Sequence, residues 1–403
     1  MTRKLRVGVV GGGIGGVALT SALAQHGIDV HTFERASAFG EIGAGIQVTP
    51  NAVKVLEALG LGEALRKVAF LPQAIVGRSW DTANEIFRIP LADECPRLYG
   101  APFFHVHRAD LHQLLVQSLP DGVASLSSAC VDVKQTGDSA VAIFEDGSEF
   151  EADLIVGADG VRSTVRSKLF GDDAPKFTGN MCFRAVVPVD GDFDFVSPDS
   201  SFWLGPKSHI VTYYVRRGKA VNIVAVNETA DWVEESWNAP STREELLAAF
   251  AGWHPNIIKL FERVDSVFKW GLFDRDPMQT WSRGRVALLG DACHPMLPFL
   301  SQGAAMAIED GYVLARSLAA HGSDVAAALR DYEAERIPRT SRVQLESRER
   351  GRTYHLPTLF AQRKRDLIYQ FKSWINPHAS GIQADWVYAY NAADFQPRIA
   401  ATA

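Results

Sequence analysis

Three short segments rich in glycine and acidic side chains are the residues of this chain best suited to chemistry. The first is Gly11-x-Gly13-x-x-Gly16, near the start of the sequence. The others, much later in the chain, are Gly157-Ala-Asp159-Gly160 and Gly290-Asp291-Ala-Cys-His294-Pro295. Glycines let a backbone approach a phosphate closely, and a carboxylate accepts hydrogen bonds from sugar hydroxyls. The first segment therefore indicates a dinucleotide ligand, and the other two must be interpreted together with it.

The elements around the first segment support this interpretation. Leu5 to Val10 is an apolar run typical of a buried parallel strand, and Val17 to Gln25 is predicted as a helix. Ile28 to Phe33 is predicted as a second strand. In such a unit the first glycine makes a tight turn, the second admits a pyrophosphate and the third allows close packing of the helix. Glu34 lies 18 residues after Gly16, where an acid can bind a ribose diol.

Length and composition limit the classes of protein. A chain of 403 residues is long enough for two domains, and 47% hydrophobic with 22% charged residues is ordinary for a soluble globular protein. A net charge of −6 without a long basic run disfavours nucleic acid or an anionic membrane as the main partner. The four cysteines form no CxxC pair, so no metal site is expected. We expect a soluble cytoplasmic protein.

The elements between the three segments are predicted from local patterns. Asn51 is predicted to cap a helix from Ala52 to Ala58, and a helix is predicted to begin at Arg108. The middle third, about Thr178 to Lys269, is mostly β in character. Its clearest piece is a hairpin from His209 to Val226 that turns around Arg217-Gly218.

The two-residue period of that hairpin assigns its side chains to faces. His209, Val211 and Tyr213 are predicted to share one face, and Ile210, Thr212 and Tyr214 the other.

Three helices are predicted after the hairpin. One runs from Ser241 to Phe250 and begins with a capping box, and a buried one runs from Gly303 to Ala320. The charged stretch Leu329 to Arg350 is predicted to be a solvated or dimer-facing helical surface, with a kink at Pro338.

In order and spacing, the three segments resemble those of the single-component FAD-dependent aromatic hydroxylases, from Leu5 to about Tyr332. The surrounding sequence is similar to the salicylate, 3-hydroxybenzoate and 6-hydroxynicotinate branch of that group. The stretches that carry the resemblance are GAGIQVTPNA (Gly43 to Ala52), HRADLH (His107 to His112), the long segment Trp281 to Gly311, and DWVYAYN (Asp385 to Asn391).

The resemblance implies an α/β fold in which a Rossmann-like FAD-binding domain carries an inserted, mainly antiparallel β-sheet substrate domain, followed by C-terminal helices. The FAD-binding domain is expected to be discontinuous, over residues 1–73, 101–177 and 274–322. The substrate-binding domain is expected over 74–100 and 178–273, and the helical region over 323–403.

The resemblance also implies roles for individual residues. Glu34 is expected to hold the adenosine ribose, Arg108 to lie near the ribityl–phosphate side of the flavin, and Asp291 to reach the ribityl hydroxyls. A helix that opens at Gly303 is expected to point its N-terminus at the flavin pyrimidine, because unpaired N–H groups stabilise an anionic reduced flavin. The full set of expected cofactor-binding residues is Gly11, Gly13, Gly16, Glu34, Arg35, Gln47, Arg108, Asp159, Asp291, Gly303 and Ala304. His294 is expected to belong to the flavin loop rather than to a metal site.

The implied activity is hydroxylation of a small phenolic carboxylate that resembles salicylate or hydroxybenzoate. In this group NADH or NADPH reduces the flavin, and O2 then forms a C4a-hydroperoxide that transfers a hydroxyl to the ring. The resemblance makes His209 the candidate base that removes the phenol proton, with Tyr213 on the same face. The candidate substrate contacts are Gln47, Tyr214 and Pro298.

Several alternatives remain open from the sequence. The 6-hydroxynicotinate enzymes carry histidine where this chain has Gln47, and the 3-hydroxybenzoate enzymes carry glutamine where it has Pro298. An N-heteroaromatic acid such as 6-hydroxynicotinate is therefore the second candidate substrate, and a flavin oxidase or dehydrogenase is a more remote alternative. Arg78, Arg184 and Arg216 are all available for a substrate carboxylate. The chain is expected to be a monomer or a homodimer.

Overall fold

A computed structural model describes residues 4–40, 44–229, 239–375 and 385–398. Part of the second glycine-rich turn, residues 41–43, lies outside the described residues.

The strands and helices alternate along the first part of the chain, while strands dominate the middle and helices the end. In chain order the strands are β1 (Arg6–Val10), β2 (Asp29–Phe33), β3 (Gly45–Val48), β4 (Ala74–Ser79), β5 (Glu85–Pro90), β6 (Phe104–His107), β7 (Ala124–Ser125), β8 (Cys130–Thr136), β9 (Ser139–Phe144), β10 (Glu149–Ala152), β11 (Leu154–Gly157), β12 (Lys176–Pro188), β13 (Ser200–Gly205), β14 (Ser208–Val215), β15 (Ala220–Glu228), β16 (Ala239–Ser241), β17 (Val267–Asp274), β18 (Ser282–Arg283) and β19 (Val286–Leu288). The helices are α1 (Ile14–Gln25), α2 (Pro50–Ala58), α3 (Gly62–Val68), α4 (Glu94–Tyr99), α5 (Arg108–Gln117), α6 (Thr164–Phe170), α7 (Arg243–Ala249), α8 (Pro255–Phe261), α9 (Gly303–His321), α10 (Val325–Tyr354), α11 (Leu359–Ile375) and α12 (Asp385–Ala389).

One sheet has six strands in the order β18-β19-β11-β1-β2-β7, and its pairs are parallel except for β18 with β19. Strands β1 and β11 lie in its middle and are almost wholly buried, which explains their continuous apolar sequences. Helix α1 packs on α9, and a Cβ at Gly311 would lie 2.8 Å from the backbone nitrogen of Leu19. The strand–helix–strand unit predicted at the N-terminus is thus confirmed.

A second sheet has eight strands in the order β16-β17-β12-β15-β14-β13-β4-β5. All its pairs are antiparallel except β13 with β4. One face packs on α7 and α8 through a separate apolar core that contains Ile210, Trp203 and Phe250. The opposite face carries His209, Val211 and Tyr213, as the two-residue period predicts. The α/β fold class is confirmed.

Two local predictions need correction. Helix α2 begins at Pro50 and its N-cap is Thr49, so the prediction that Asn51 caps it was wrong. Proline suits the first helical position because it has no N–H to leave unpaired. The amide of Asn51 instead donates to Gln302 and Glu309 inside the protein. The capping box before α7 is confirmed, since the Thr242 hydroxyl accepts from the N–H of Glu245.

Helix α10 is a single helix of 30 residues that runs through Pro338, and one of its faces is buried. The prediction of a solvated or dimer-facing surface over Leu329 to Arg350 was therefore wrong for this face. Arg336 is fully buried because it pairs with Glu309 at 2.6 Å and Asp310 at 2.7 Å, both on α9. The acidic partners that allow such burial lie on another helix, so the charged sequence of α10 does not reveal them.

Candidate active site

The three glycine-rich segments come together at one edge of the parallel sheet. They follow β1, β11 and β19, which are neighbours in the order β19-β11-β1. The N–H of Ala158 donates to Val10 at 2.7 Å, and that of Leu289 to Gly157 at 2.9 Å. Because the carboxyl ends of adjacent parallel strands open into one crevice, this edge is where such folds bind ligands.

The glycines of the first segment differ in what surrounds them. Gly11 has a φ of +113°, and a Cβ there would lie 2.3 Å from the oxygen of Ala158. A Cβ at Gly16 would lie 2.0 Å from the oxygen of Gly11, so that position allows the turn to close on the helix. At Gly13 a Cβ would meet no atom of the described residues within 4 Å. Gly13 is also the N-cap of α1 and provides no side-chain cap, so the first N–H groups of the helix face open space.

Glu34 lies directly beyond β2, beside this open space. Its carboxylate accepts from the N–H of Gly12 at 2.7 Å and from that of Ala36 at 2.9 Å. Arg35, the next residue, is exposed. The acid is thus held at the turn, with its charge close to the N-terminus of α1.

The positive charge of Arg108 acts on the Asp291 carboxyl and favours its ionised form. Burial nevertheless raises the pKa of Asp291 above its ordinary value, and His294 and Arg108 oppose that shift. Asp159 has a different local role, because it accepts from the Ser163 hydroxyl at 2.5 Å and from the N–H of Val165 at 3.1 Å. Its carboxylate therefore fixes the start of α6.

Helix α9 begins at Gly303 and Ala304 on the same side of the molecule. Its N-cap, Gln302, makes no side-chain cap hydrogen bond and donates instead to the Thr49 hydroxyl at 3.1 Å. Ser301 precedes it with a φ of +54°. The side chain of Gln302 therefore does not cap the first turn of α9, so the N–H groups and the positive end of the helix dipole suit a ligand.

His294 is part of the support beneath this helix. Its Nε2 lies 2.5 Å from an Asp310 carboxylate oxygen, and the other oxygen of Asp310 accepts from Arg336. Over the described ranges of the chain, no group of three or more metal-ligating side chains occurs. None of the helices in those ranges is long and apolar enough to cross a membrane.

Strand β3 pairs with β6 in a two-stranded antiparallel sheet that lies against the eight-stranded sheet, and it carries Gln47. The Gln47 amide donates to the Ser200 hydroxyl of β13 at 2.8 Å. The N–H of Gly45 donates to Asn222 at 2.6 Å, and its oxygen accepts from Arg184 at 2.6 Å. Gln47 is therefore buried against the inner face of the eight-stranded sheet.

Tyr213 projects from that inner face toward β3 and β6. Its ring lies 4.4 Å from the ring of His105, and a Cβ at Gly45 would lie 2.7 Å from it. Burial raises the pKa of Tyr213 to about 12, while Arg184 acts in the opposite direction. The hydroxyl is thus protonated at neutral pH and can donate a hydrogen bond.

His209 lies further along the same face and is only 2% exposed. Its Nδ1 is 2.7 Å from the Nε2 of His355, and its ring is 5.4 Å from that of Phe299 and 5.2 Å from that of Tyr354. Burial, followed by the neighbouring His355, lowers the pKa of His209 well below its ordinary value. Burial likewise lowers the pKa of His355 to about 4. Both imidazoles are therefore neutral at pH 7.

The loop after β19 runs from the edge of the parallel sheet, where the three glycine-rich segments meet, to His209. It carries Asp291 near its start and Phe299, which contacts His209, near its end. A cavity of about 640 Å³ opens beside His355. Its lining includes Leu297, Phe299, Glu228, Lys207 and Arg352.

Two of the expected substrate contacts do not meet His209. Tyr214 lies on the opposite face of β14, where its hydroxyl donates to the oxygen of Val196. Pro298 is exposed, whereas its neighbour Phe299 points inward. Sequence reasoning missed Phe299 and His355 as neighbours of His209. His355 caps the end of α10, far from His209 in the chain, and no local motif marks it.

Residues 4–347 match the family described as the FAD binding domain. The chain belongs to this family. Among its relatives is the 3-amino-4-hydroxybenzoate 2-monooxygenase PtnB3 of Streptomyces platensis, 41% identical over 97% of this chain and 98% of the relative. The 6-hydroxynicotinate 3-monooxygenase of Pseudomonas fluorescens is 42% identical over 85% of this chain and 90% of the relative.

A solved salicylate hydroxylase substrate complex superimposes with a TM-score of 0.81. It is 30% identical and covers 98% of this chain and 97% of that chain. The resemblance to aromatic hydroxylases is thus confirmed, and the protein is a flavin-dependent aromatic monooxygenase of the hydroxybenzoate and hydroxynicotinate type.

The residues at the parallel-sheet edge fit FAD. The open space at Gly13 and the helix N-termini without side-chain caps suit the pyrophosphate and the flavin, and Glu34 suits the ribose.

Proposed function

We propose that this protein uses NADH or NADPH and O2 to hydroxylate the ring of a small phenolic carboxylate that resembles salicylate or hydroxybenzoate. The observation that carries this proposal is the position of His209. His209 is a buried, neutral imidazole in contact with Phe299. Phe299 lies on the loop that also carries Asp291. A base beside the flavin is what phenol hydroxylation requires, because a phenolate ring is a better nucleophile than a phenol.

The cofactor would be held by the residues at the edge of the parallel sheet. The N–H groups at the start of α1 would bind the pyrophosphate, Glu34 would accept from the ribose hydroxyls, Asp291 and Arg108 would hold the ribityl chain, and the N-terminus of α9 would stabilise negative charge on the flavin. When bound, FAD supplies the redox chemistry that transfers oxygen from O2 to the ring. Replacement of Glu34 by alanine removes a charge-assisted hydrogen bond worth roughly 1.5–3 kcal/mol, and FAD affinity should fall about 10- to 150-fold in a fluorescence titration.

The hydrogen bond between His209 and His355 determines which nitrogen of His209 can act as the base. If His209 Nδ1 donates to His355 Nε2, then the lone pair of His209 Nε2 is free to accept a proton. That arrangement puts the remaining proton of His355 on Nδ1, which lies 4.0 Å from a carboxylate oxygen of Glu228. The negative charge of Glu228 favours this tautomer. His355 is therefore a positioning residue, and the cavity beside it gives the accepted proton a way to solvent.

Arg184 is the arginine best placed for a substrate carboxylate. It lies on the inner face of the eight-stranded sheet beside Tyr213, and its Nε is buried without a hydrogen-bond partner among the described residues. Arg216 is half-exposed and pairs with Asp110, while Arg78 lies near the ring of Trp203 on the other face. With Arg184→Met we expect KM for the acid to rise by about 10- to 150-fold. Arg184→Lys, which keeps the charge but not the bidentate geometry, should show a smaller rise.

An N-heteroaromatic acid is the second candidate substrate, because the 6-hydroxynicotinate 3-monooxygenase is as similar to this chain as the aminohydroxybenzoate enzyme is. Arg184 and His209 would serve either ring. Product mass separates the two substrate classes, and loss of CO2 together with hydroxylation would identify the salicylate type.

The deciding experiment measures NADH and NADPH oxidation, O2 uptake and product mass with salicylate, hydroxybenzoates, 3-amino-4-hydroxybenzoate and 6-hydroxynicotinate. We expect one acid to accelerate oxidation and to gain one oxygen atom. His209→Ala should lower that turnover by about 10²- to 10⁴-fold, whereas His26→Ala, at an exposed helix end, should not change it. Oxygen consumption without any nicotinamide cofactor would indicate an oxidase and refute the proposal.

A further inference from the structure

Helix α11 presents an apolar face to solvent. Phe360 is 82% exposed, Trp374 81% and Leu367 66%. The other large exposed apolar residues of this helix are Leu359, Ile368, Phe371 and Ile375. No other helix in the described part of the chain exposes so many large apolar side chains.

These side chains form a single stripe. Phe360, Leu367 and Trp374 are seven residues apart, so they lie almost on one line along the helix, and Phe371 lies beside them. The opposite face of α11 packs on β5, an edge strand of the eight-stranded sheet, where the ring of Tyr369 meets that of Phe87 at 5.7 Å. The stripe therefore points away from its own subunit.

The exposed area is of the size that a protein interface requires. Aromatic side chains carry roughly 150–250 Å² each, so the stripe exposes on the order of 800 Å². The largest apolar patch on a typical monomer is about 300–600 Å². About 800 Å² is what each partner buries in an interface of standard size.

We propose that the α11 stripe binds the α11 stripe of a second copy of this chain, antiparallel and about a two-fold axis near Leu367. In that arrangement Phe360 of each copy packs beside Trp374 of the other, and every contact occurs twice. A seven-residue spacing lets the side chains of two such helices interdigitate at a shallow crossing angle. Lys364 of one copy then lies near the ring of Phe371 of the other, where a cation–π contact is favourable.

The charges beside the stripe favour a second copy over an anionic membrane. Membrane-binding helices of this kind use about four to eight basic residues. The positive charge of Arg363 interacts with Asp81 and Asp366 of the same subunit, and these carboxylates compensate that charge. Arg363, Lys364 and Lys372 are the exposed basic residues of α11, and three are fewer than such a membrane-binding helix uses.

The test compares molar masses of the full-length holoenzyme by light scattering and sedimentation. We expect the wild type to have a mass near twice 44.1 kDa. Leu367→Glu with Phe371→Glu should give a monomer that keeps its FAD and its melting temperature. Lys372→Glu, outside the stripe on the same helix, should remain a dimer. A monomeric wild type, or a stripe variant as dimeric as the wild type, would overturn the proposal.

A cysteine variant tests the geometry without disrupting the apolar face. Leu367→Cys places two thiols close to the proposed axis, so mild oxidation should link the copies rapidly. Lys372→Cys should not cross-link. Equal cross-linking of both variants would contradict the antiparallel arrangement. Sedimentation with phosphatidylserine vesicles completes the test, since binding of a monomeric wild type to them would assign the stripe to a membrane instead.

Discussion

Replacement of His355 by phenylalanine tests the proposed role of the histidine pair most directly. Phenylalanine keeps a flat ring against Phe299 but removes the nitrogen that lies 2.7 Å from His209. A net hydrogen bond is worth roughly 0.5–1.5 kcal/mol, which corresponds to about a 2- to 13-fold decrease in kcat. KM should stay nearly constant, because the role proposed for His355 acts through His209.

The assay is steady-state hydroxylation of the acid identified in the substrate panel, measured as product formed. If His355 acts only through His209, the double variant His209→Ala/His355→Phe should be no slower than His209→Ala alone. A double variant that is slower by the product of the two single effects would show that His355 acts independently of His209. The reasoning would then be wrong.

The pH dependence of the same reaction provides a second check. Burial keeps the pKa of His209 well below its ordinary value, so the imidazole stays neutral and able to accept a proton at pH 6. We therefore expect the kcat/KM of the wild type not to decrease near pH 6.5 through protonation of His209. Its pH profile in this range should have the same shape as that of His209→Ala. Such a decrease in the wild type, absent from the variant, would mean that His209 titrates normally and is exposed to solvent.

Three further predictions follow from the fold. Gly13→Ala should weaken FAD binding in a titration yet leave the melting temperature of the apoprotein almost unchanged, because its Cβ would meet nothing, whereas Gly16→Ala should also destabilise the apoprotein. Burial lowers the pKa of His105 to about 3 and that of His355 to about 4 in the folded protein. As the pH falls, these two histidines are therefore protonated in the unfolded chain before they are protonated in the folded protein. Urea denaturation should show stability falling below about pH 6.5, by up to about 1.4 kcal/mol per pH unit for each histidine, and a flat profile down to pH 4.5 would contradict this. Arg336→Met removes the arginine shared by the buried Glu309 and Asp310, leaving Arg339 to the first and His294 to the second, and should cost about 3–5 kcal/mol in the same assay; a loss below 1 kcal/mol would mean that the Arg336 ion pairs are not needed.

The parts of the site that the sequence predicted are those governed by short-range rules. Adjacent parallel strands bring their carboxyl ends together, so segments after β1, β11 and β19 meet although they are far apart in the chain. The two-residue period of β14 likewise assigned His209 and Tyr213 to one face and Tyr214 to the other.

The parts that could not be predicted depend on contacts between distant elements. His355 meets His209 only because the end of α10 comes to rest against β14, and nothing near either residue signals that contact. The burial of Arg336 has the same origin, since Glu309 and Asp310 lie on α9. Charged residues in a helix usually indicate solvent, and an arginine that is fully paired inside a protein is the exception to that rule.

The arginines of α10 also determine where the chain can be truncated. Arg336 and Arg339 pair with Glu309 and Asp310, the two consecutive acids of α9. Glu309 also accepts a hydrogen bond from Asn51 of α2. A fragment cut after α9 would keep every glycine of the three segments, yet two carboxylates would remain in its interior without their counter-ions. The nucleotide-binding half is therefore not an excisable module, and fusions or truncations of this chain should retain α10 in full.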